Sequence, residues 1–290
     1  MRTRTPIVAG QFYPANREKC LEEIRQGLAA RPLPDSLRPS VVGGIVPHAG
    51  WTFSGELAAL VFAAVRKRHE TVATFVIYGT AHSYFDALPA VDDSDAWQTP
   101  LGAVQLDKEL CAALLDSGVV AANSSAHRQE HSIEVQVPFI QHLFPEARIV
   151  PILVPPVESA IPLGESASDL TSGTGRPIIY IGSTDLTHYG PRYGFTPMGR
   201  GPDAYQWASN VNDRQFTDLA IAMDAERLLA GAIEKGNACG PGAAAAAVAA
   251  ARKLGVTRGQ LLAYTTSNDV MQAKMGTTGR DSVGYAAIVF

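Results

Sequence analysis

Four short apolar runs, each closed by glycine, serine or proline or by a polar stretch, constrain the fold more than any other feature of the chain. They are VVGGIVP (41–47), ATFVIYG (73–79), ARIVPILV (147–154) and RPIIYIGS (176–183). Each is short and rich in β-branched residues, so each reads as a strand, and the near-continuous apolarity implies burial on both faces. LLAYTTS and the closing VGYAAIVF read the same way. Between them lie helical patterns: NREKCLEEIRQGLAA, GELAALVFAAVRKRHE, DKELCAALLDSG, RQEHSIEVQVPFIQHLF and DAERLLAGAIEKG. Strands alternating with helices predict an α/β chain with a central, mostly buried sheet flanked by helices. The stretch ALPAVDDSDAWQTPLGAVQLD reads as extended chain turning at TPLG, a hairpin or edge pair that makes the sheet mixed. With no internal repeat and no composition break to mark a linker, one domain over residues 1–290 is expected.

Three of the strands release a histidine at their C-terminal ends, where open α/β sheets place their ligands. GGIVPHAGWTFSG presents His48 before a helix expected to start near Ser54, FVIYGTAHSY presents His82, and GSTDLTHYG presents Asp185 and His188. In NACGPGAAAAAVAAARKLG, Gly240 and Pro241 suit a helix start, which places Cys239 at a helix N-terminus, where backbone N–H groups favour a thiolate. Two neutral imidazoles and one anionic group are a ligand set for a divalent ion with open positions, so His48, His82 and Cys239 are the candidate metal ligands. His188 is the candidate base, with Asp185 fixing its tautomer. Ordinary roles stand beside these: a histidine after a strand is often a hydrogen-bonded cap, Cys239 could be a small buried cysteine, and Asp185 could be an N-cap. Glu130, His131 and Glu134 in EHSIE fit either a pocket or a capped helix, and His131, Trp51 and Tyr189 are carried as pocket candidates. His69, His127 and His142 read as bystanders. The long irregular piece after His188, YGPRYGFTPMGRGPDAYQWASN, is expected to cover the pocket, with Tyr193, Tyr205 and Trp207 as walls.

Several classes are disfavoured. A net charge of −4 with a pI near 6.0 argues against a nucleic-acid or anionic-membrane surface, and no apolar run reaches the roughly 20 residues of a membrane span. The first residues lack the apolar segment of a secretory signal, so a cytoplasmic location is expected. Cys20, Cys111 and Cys239 are too few and too scattered for a disulfide framework or a CxxC knuckle. No P-loop, GxGxxG or GxSxG motif is present in a fitting context.

The motifs RTPIVAGQFYPA, VPHAGWTFSG, YGTAHS, EHSIEVQVPF, GSTDLTHYG, CGPGA and DSVGYAAIVF, in that order from near residue 2 to residue 290, resemble the Memo family, called AmmeMemoRadiSam system protein B in prokaryotes. The resemblance implies an α/β domain similar to the class III extradiol dioxygenases, which are non-haem iron enzymes. It implies that His48 and His82 correspond to that site's histidine ligands and His188 to its base. Where those enzymes have a carboxylate ligand this chain has Cys239, whose softer sulfur adds copper and zinc to iron as candidate ions. Oxygen-dependent redox chemistry on a small molecule is the leading expectation. A zinc hydrolase and a phosphopeptide-binding adaptor, the latter implied by animal Memo proteins, are the alternatives. The family's name also implies AMMECR-type and radical-SAM partner proteins.

Overall fold

The strand Thr74–Thr80 is buried at every position because it runs through the middle of a sheet covered on both faces. In the computed structural model, which describes residues 2–290, four parallel strands form this centre in the order Gly43–Val46, Ile178–Ser183, Thr74–Thr80, Arg148–Val154. Their register aligns Ile45 with Gly182, Gly182 with Tyr78, and Tyr78 with Ile152. All four therefore deliver their C-terminal ends to one edge. Ser282–Val289 runs antiparallel beside Gly43–Val46 and also pairs with Gln260–Thr266, while Ala90–Val91 runs antiparallel to Arg148–Val154, so the sheet is mixed.

The expected hairpin exists, Ala96–Thr99 with Gly102–Gln105, but it joins Thr3–Arg4 in a separate three-stranded sheet; of the same extended stretch, Ala90–Val91 is the part that enters the main sheet and helps to make it mixed. The large Trp97 on this hairpin is buried under the Arg4 guanidinium, 4.2 Å from its ring centre.

The two faces of the main sheet are packed differently. Helices Trp51–Arg68 and Val137–Leu143 lie on one face through bulky side chains, with Phe62 against Phe139 at 5.8 Å and Phe75 against Phe144 at 5.3 Å, and Arg17–Ala30 packs against both helices. The other face carries the alanine helix Pro241–Lys253, buried from Pro241 through Ala251, with Ala160–Thr171 against it. Alanine leaves no bulk to hold the helix away from the strands, and Gly182 completes the approach: a Cβ there would lie 2.8 Å from the carbonyl oxygen of Ala243. No helix among the described residues is long and apolar enough to cross a membrane.

Two helix readings change. Trp51–Arg68 begins at Trp51 with Gly50 as N-cap, and the Ser54 hydroxyl instead bonds the Ala49 carbonyl. The single helix read over 128–144 is broken into a turn at Ser132 and Ile133, a short 3₁₀ turn Glu134–Gln136 and the helix Val137–Leu143, which Pro138 permits only at its first turn. Glu134 is consumed structurally, receiving Arg4, the backbone N–H groups of Ile7 and Val8, and the Tyr13 hydroxyl.

Candidate metal and substrate pocket

The parallel strands end around a cavity of about 530 Å³ lined by His48, His82, His131, Asp185 and His188. His48 is 1 % exposed and held on every side. Its backbone N–H donates to Asp185 Oδ1 at 2.7 Å, and its Nδ1 lies 3.1 Å from Ser183 Oγ. That hydroxyl donates its own hydrogen to the Ser132 carbonyl at 2.7 Å, so it accepts from Nδ1–H of His48 and leaves Nε2 unprotonated. Nε2 faces Cys239 Sγ at 3.2 Å. Burial, and after it the neighbouring His82 and His131, press the His48 pKa well below the ordinary histidine value.

Cys239 reaches this position because the loop before the alanine helix is stitched to the exit of Ile178–Ser183. The Cys239 N–H donates to the Asp185 carbonyl at 3.1 Å, and the Asp185 N–H approaches Sγ at 3.3 Å. Gly240 is required next, since a Cβ there would stand 2.1 Å from Thr80 Oγ1.

His82 sits at the open side, its side chain about a third exposed. Its backbone N–H and Nδ1 both meet the carboxylate of Glu130, at 3.1 and 3.0 Å. Burial alone would lower its pKa, but the hydrogen bonds with Cys239 and Glu130 prevail and push it up to about 10. Glu130 is held far below the carboxylate range: burial works the other way, and the bond to His82 overcomes it. Oε1 of the same carboxylate accepts the backbone N–H groups of His131 and Ser132, both at 2.8 Å. Each of His48, His82 and His131 offers a ring nitrogen, and these lie within 4.8 Å of one another, a group that could hold a metal ion.

His188 points into the cavity from the short strand His188–Tyr189, paired with Ser282–Val283, so the helical turn that would set Asp185 beside it does not form. Its Nδ1 lies 3.0 Å from the Leu186 carbonyl, which accepts only from N–H, and Nε2 is thereby the free acceptor. Leu186, not Asp185, fixes that tautomer. Asp185 instead anchors the loop at His48, and burial drives its pKa up to about 7 against the hydrogen bond from His48. The His188 pKa is lowered, chiefly by burial.

Two pocket candidates lie elsewhere. Trp51 is in the core, its Nε1–H on the Val135 carbonyl and its ring packed between Tyr13 at 5.2 Å and Phe139 at 4.5 Å. Tyr189 follows His188 on the opposite face of a strand and packs with Phe195, Tyr205 and Trp207, its hydroxyl donating to Gly199. Tyr205 and Trp207 are accordingly not pocket walls. Only Arg192 and Tyr193 of the segment after His188 line the cavity, the Tyr193 ring standing edge-on to His188 at 4.8 Å.

Sequence reading missed Glu130 as the partner of His82, Ser183 as the partner of His48, and Phe12, Phe53, Met271 and Tyr285 as walls. It also missed that Arg192 and Arg280, distant in sequence, both line the cavity and are exposed. The EHSIE motif was the one signal that could have pointed to Glu130. His69 and His127 bond backbone carbonyls of Val41 and Ala90, and neither they nor His142 line this cavity.

Residues 4–289 match the family model described as Memo-like protein. The chain is similar to MEMO1 family proteins of archaea. It is 34 % identical over 296 residues to one from Methanosarcina barkeri, covering 99 % of each chain. It is 36 % identical over 301 residues to one from Methanopyrus kandleri, covering 99 % of this chain and 98 % of that one. To one from Methanothermobacter thermautotrophicus it is 37 % identical over 300 residues, covering 98 % of each.

Proposed function

The chain belongs to the Memo-like protein family, and from that premise we propose that it is a cytoplasmic non-haem metal protein performing oxygen-dependent, dioxygenase-like redox chemistry on a small organic molecule. His48, His82 and Cys239 would hold the ion. The observation that carries this reading is that Cys239 Sγ lies 3.2 Å from His48 Nε2, while the His48 ring stands 5.3 Å from that of His82 at the strand ends and both histidines line one cavity. The donors fit a metal: Ser183 and Glu130 occupy the Nδ1 sides of His48 and His82, so both imidazoles have their other nitrogen free to ligate. The resemblance to extradiol enzymes puts iron first, and the thiolate beside two imidazoles adds copper and zinc as alternatives.

A bound iron or copper ion would supply one-electron exchange with oxygen. The chain's own residues do the rest. His188 Nε2, free as an acceptor, takes a proton from substrate in the cavity, and Phe12, Phe53 and Tyr193 hold a planar molecule against it. Asp185 keeps the His48 loop in place.

Arg192 and Arg280 at the mouth favour an acidic group on the ligand, and this supports the second reading, an adaptor that binds a phosphorylated peptide. Elemental analysis of protein purified without added metal or chelator, then anaerobic Fe(II) loading and oxygen-uptake measurement, separates the readings. Stoichiometric iron or copper that is lost in His48→Ala supports the redox reading. Zinc alone supports a hydrolase, and no specific metal leaves the adaptor.

A further inference from the structure

On the reading that this pocket holds an ion, we propose that His131 is a fourth ligand, closing with His48, His82 and Cys239 a set of three nitrogens and one sulfur. The spacing of the rings carries the inference. Two imidazoles bound to one tetrahedral ion through nitrogens at about 2.0–2.1 Å have ring centres roughly 5.2 Å apart. The separations are 5.3 Å for His48 and His82, 5.4 Å for His48 and His131, and 4.9 Å for His82 and His131. All three pairs match one shared centre, although the residues come from three separate strand exits and turns. The ring nitrogens stand within 4.8 Å of one another. On one ion they would be about 3.4 Å apart, so nitrogens that now stand up to 4.8 Å apart close by at most about 1.4 Å on binding, through turning of the rings about centres already at the right spacing. The His82 and His131 planes are within 9° of parallel, and an ion lies in the plane of each ring that binds it, so one of the two also turns. Neither side chain is fully covered, which leaves room for that turn.

Glu130 provides a second, independent link. It receives the His82 backbone and ring and the His131 backbone, so one buried carboxylate positions both histidines as a unit. The His131 Nδ1 stands 3.6 Å from Glu130 Oε1, beyond hydrogen-bond reach, so its ring is the least restrained of the three. His131 is thus the donor that yields when substrate needs a position on the ion. A site with four protein ligands is closed, and one with three is open.

Cobalt(II) is the probe, titrated into metal-free protein and followed by visible absorption and by competition for affinity. The wild type is expected to show the intense bands of four-coordinate cobalt together with a sulfur-to-cobalt charge-transfer band. His131→Ala and His131→Gln should each bind cobalt at least about tenfold more weakly, with diminished visible bands and the charge-transfer band retained through Cys239. A wild-type spectrum of the weak, six-coordinate kind overturns the proposal, and so does either folded variant that keeps wild-type affinity and spectrum. Wild-type protein that binds no cobalt at all overturns the metal reading beneath it.

Discussion

His48 and His82 leave strands that flank the same central neighbour, Ile178–Ser183, yet they stand in opposite surroundings. His48 is buried, its Nδ1 on a neutral hydroxyl, and its pKa is driven down by burial. His82 is partly open, its Nδ1 on a buried carboxylate, and its pKa is driven up to about 10 by its hydrogen bonds in spite of burial. One residue type at one sheet edge thus becomes a neutral, rigid anchor in the first case and a charge-tuned, adjustable donor in the second. An ion displaces no proton from His48 but must displace one from His82, so the hydrogen bonds with Cys239 and Glu130 that hold this proton link metal uptake to pH.

The largest expected effect comes from removing the anchor. His48→Ala should abolish metal binding and cost about 1–3 kcal/mol of stability, because Ser183 Oγ loses its buried donor. Elemental analysis and urea denaturation measure both, and retained metal would break the division of roles. Next, Glu130→Gln should weaken metal binding about 10- to 100-fold, and Ser183→Ala by clearly less, since only the first removes a charge behind a ligand. Competition titration ranks them, and the reverse order would reverse the comparison.

The third expectation concerns the metal-free protein. The His82 pKa is raised, so the stability contributed by its imidazolium is fully present below the ordinary histidine range and is lost as pH rises toward and through about 10. Glu130→Gln should flatten that fall in denaturation midpoints. Asp185 works at lower pH: its pKa is raised to about 7, so its penalty grows as pH climbs from the ordinary carboxylate range to about 7. Asp185→Asn should remove that slope, because an amide oxygen still accepts from the His48 N–H. The smallest effect is expected from Tyr189→Phe, which loses the bond to Gly199 and costs about 1 kcal/mol with metal affinity unchanged. A change in metal affinity there would return Tyr189 to the pocket.

The strand exits were legible because a short apolar run ended by glycine or proline is a local signal, and His48, His82 and His188 do meet at one edge. The partners of those histidines were not legible. Glu130 is 48 residues from His82 and Ser183 is 135 from His48, and no local spacing encodes either contact. Asp185, three residues from His188, was matched to it by proximity in sequence, yet its carboxylate turned to the His48 backbone. Trp51, three residues after His48, packs into the core instead of the cavity, and no local signal says which way that first helical residue faces.

By itself the sequence determined the alternation of buried strands and helices, the family, the sheet edge where chemistry-bearing side chains emerge, and Cys239 at the head of an alanine helix, because periodicity, breakers and capping act over a few residues. Only the tertiary structure decided that His48 is neutral and closed in while His82 is charged and open, that Leu186 sets the His188 tautomer, and that Arg192 and Arg280 line one cavity. Those outcomes depend on burial and on which polar groups lie within about 3 Å, and such distances arise only once separate segments have packed against the same sheet.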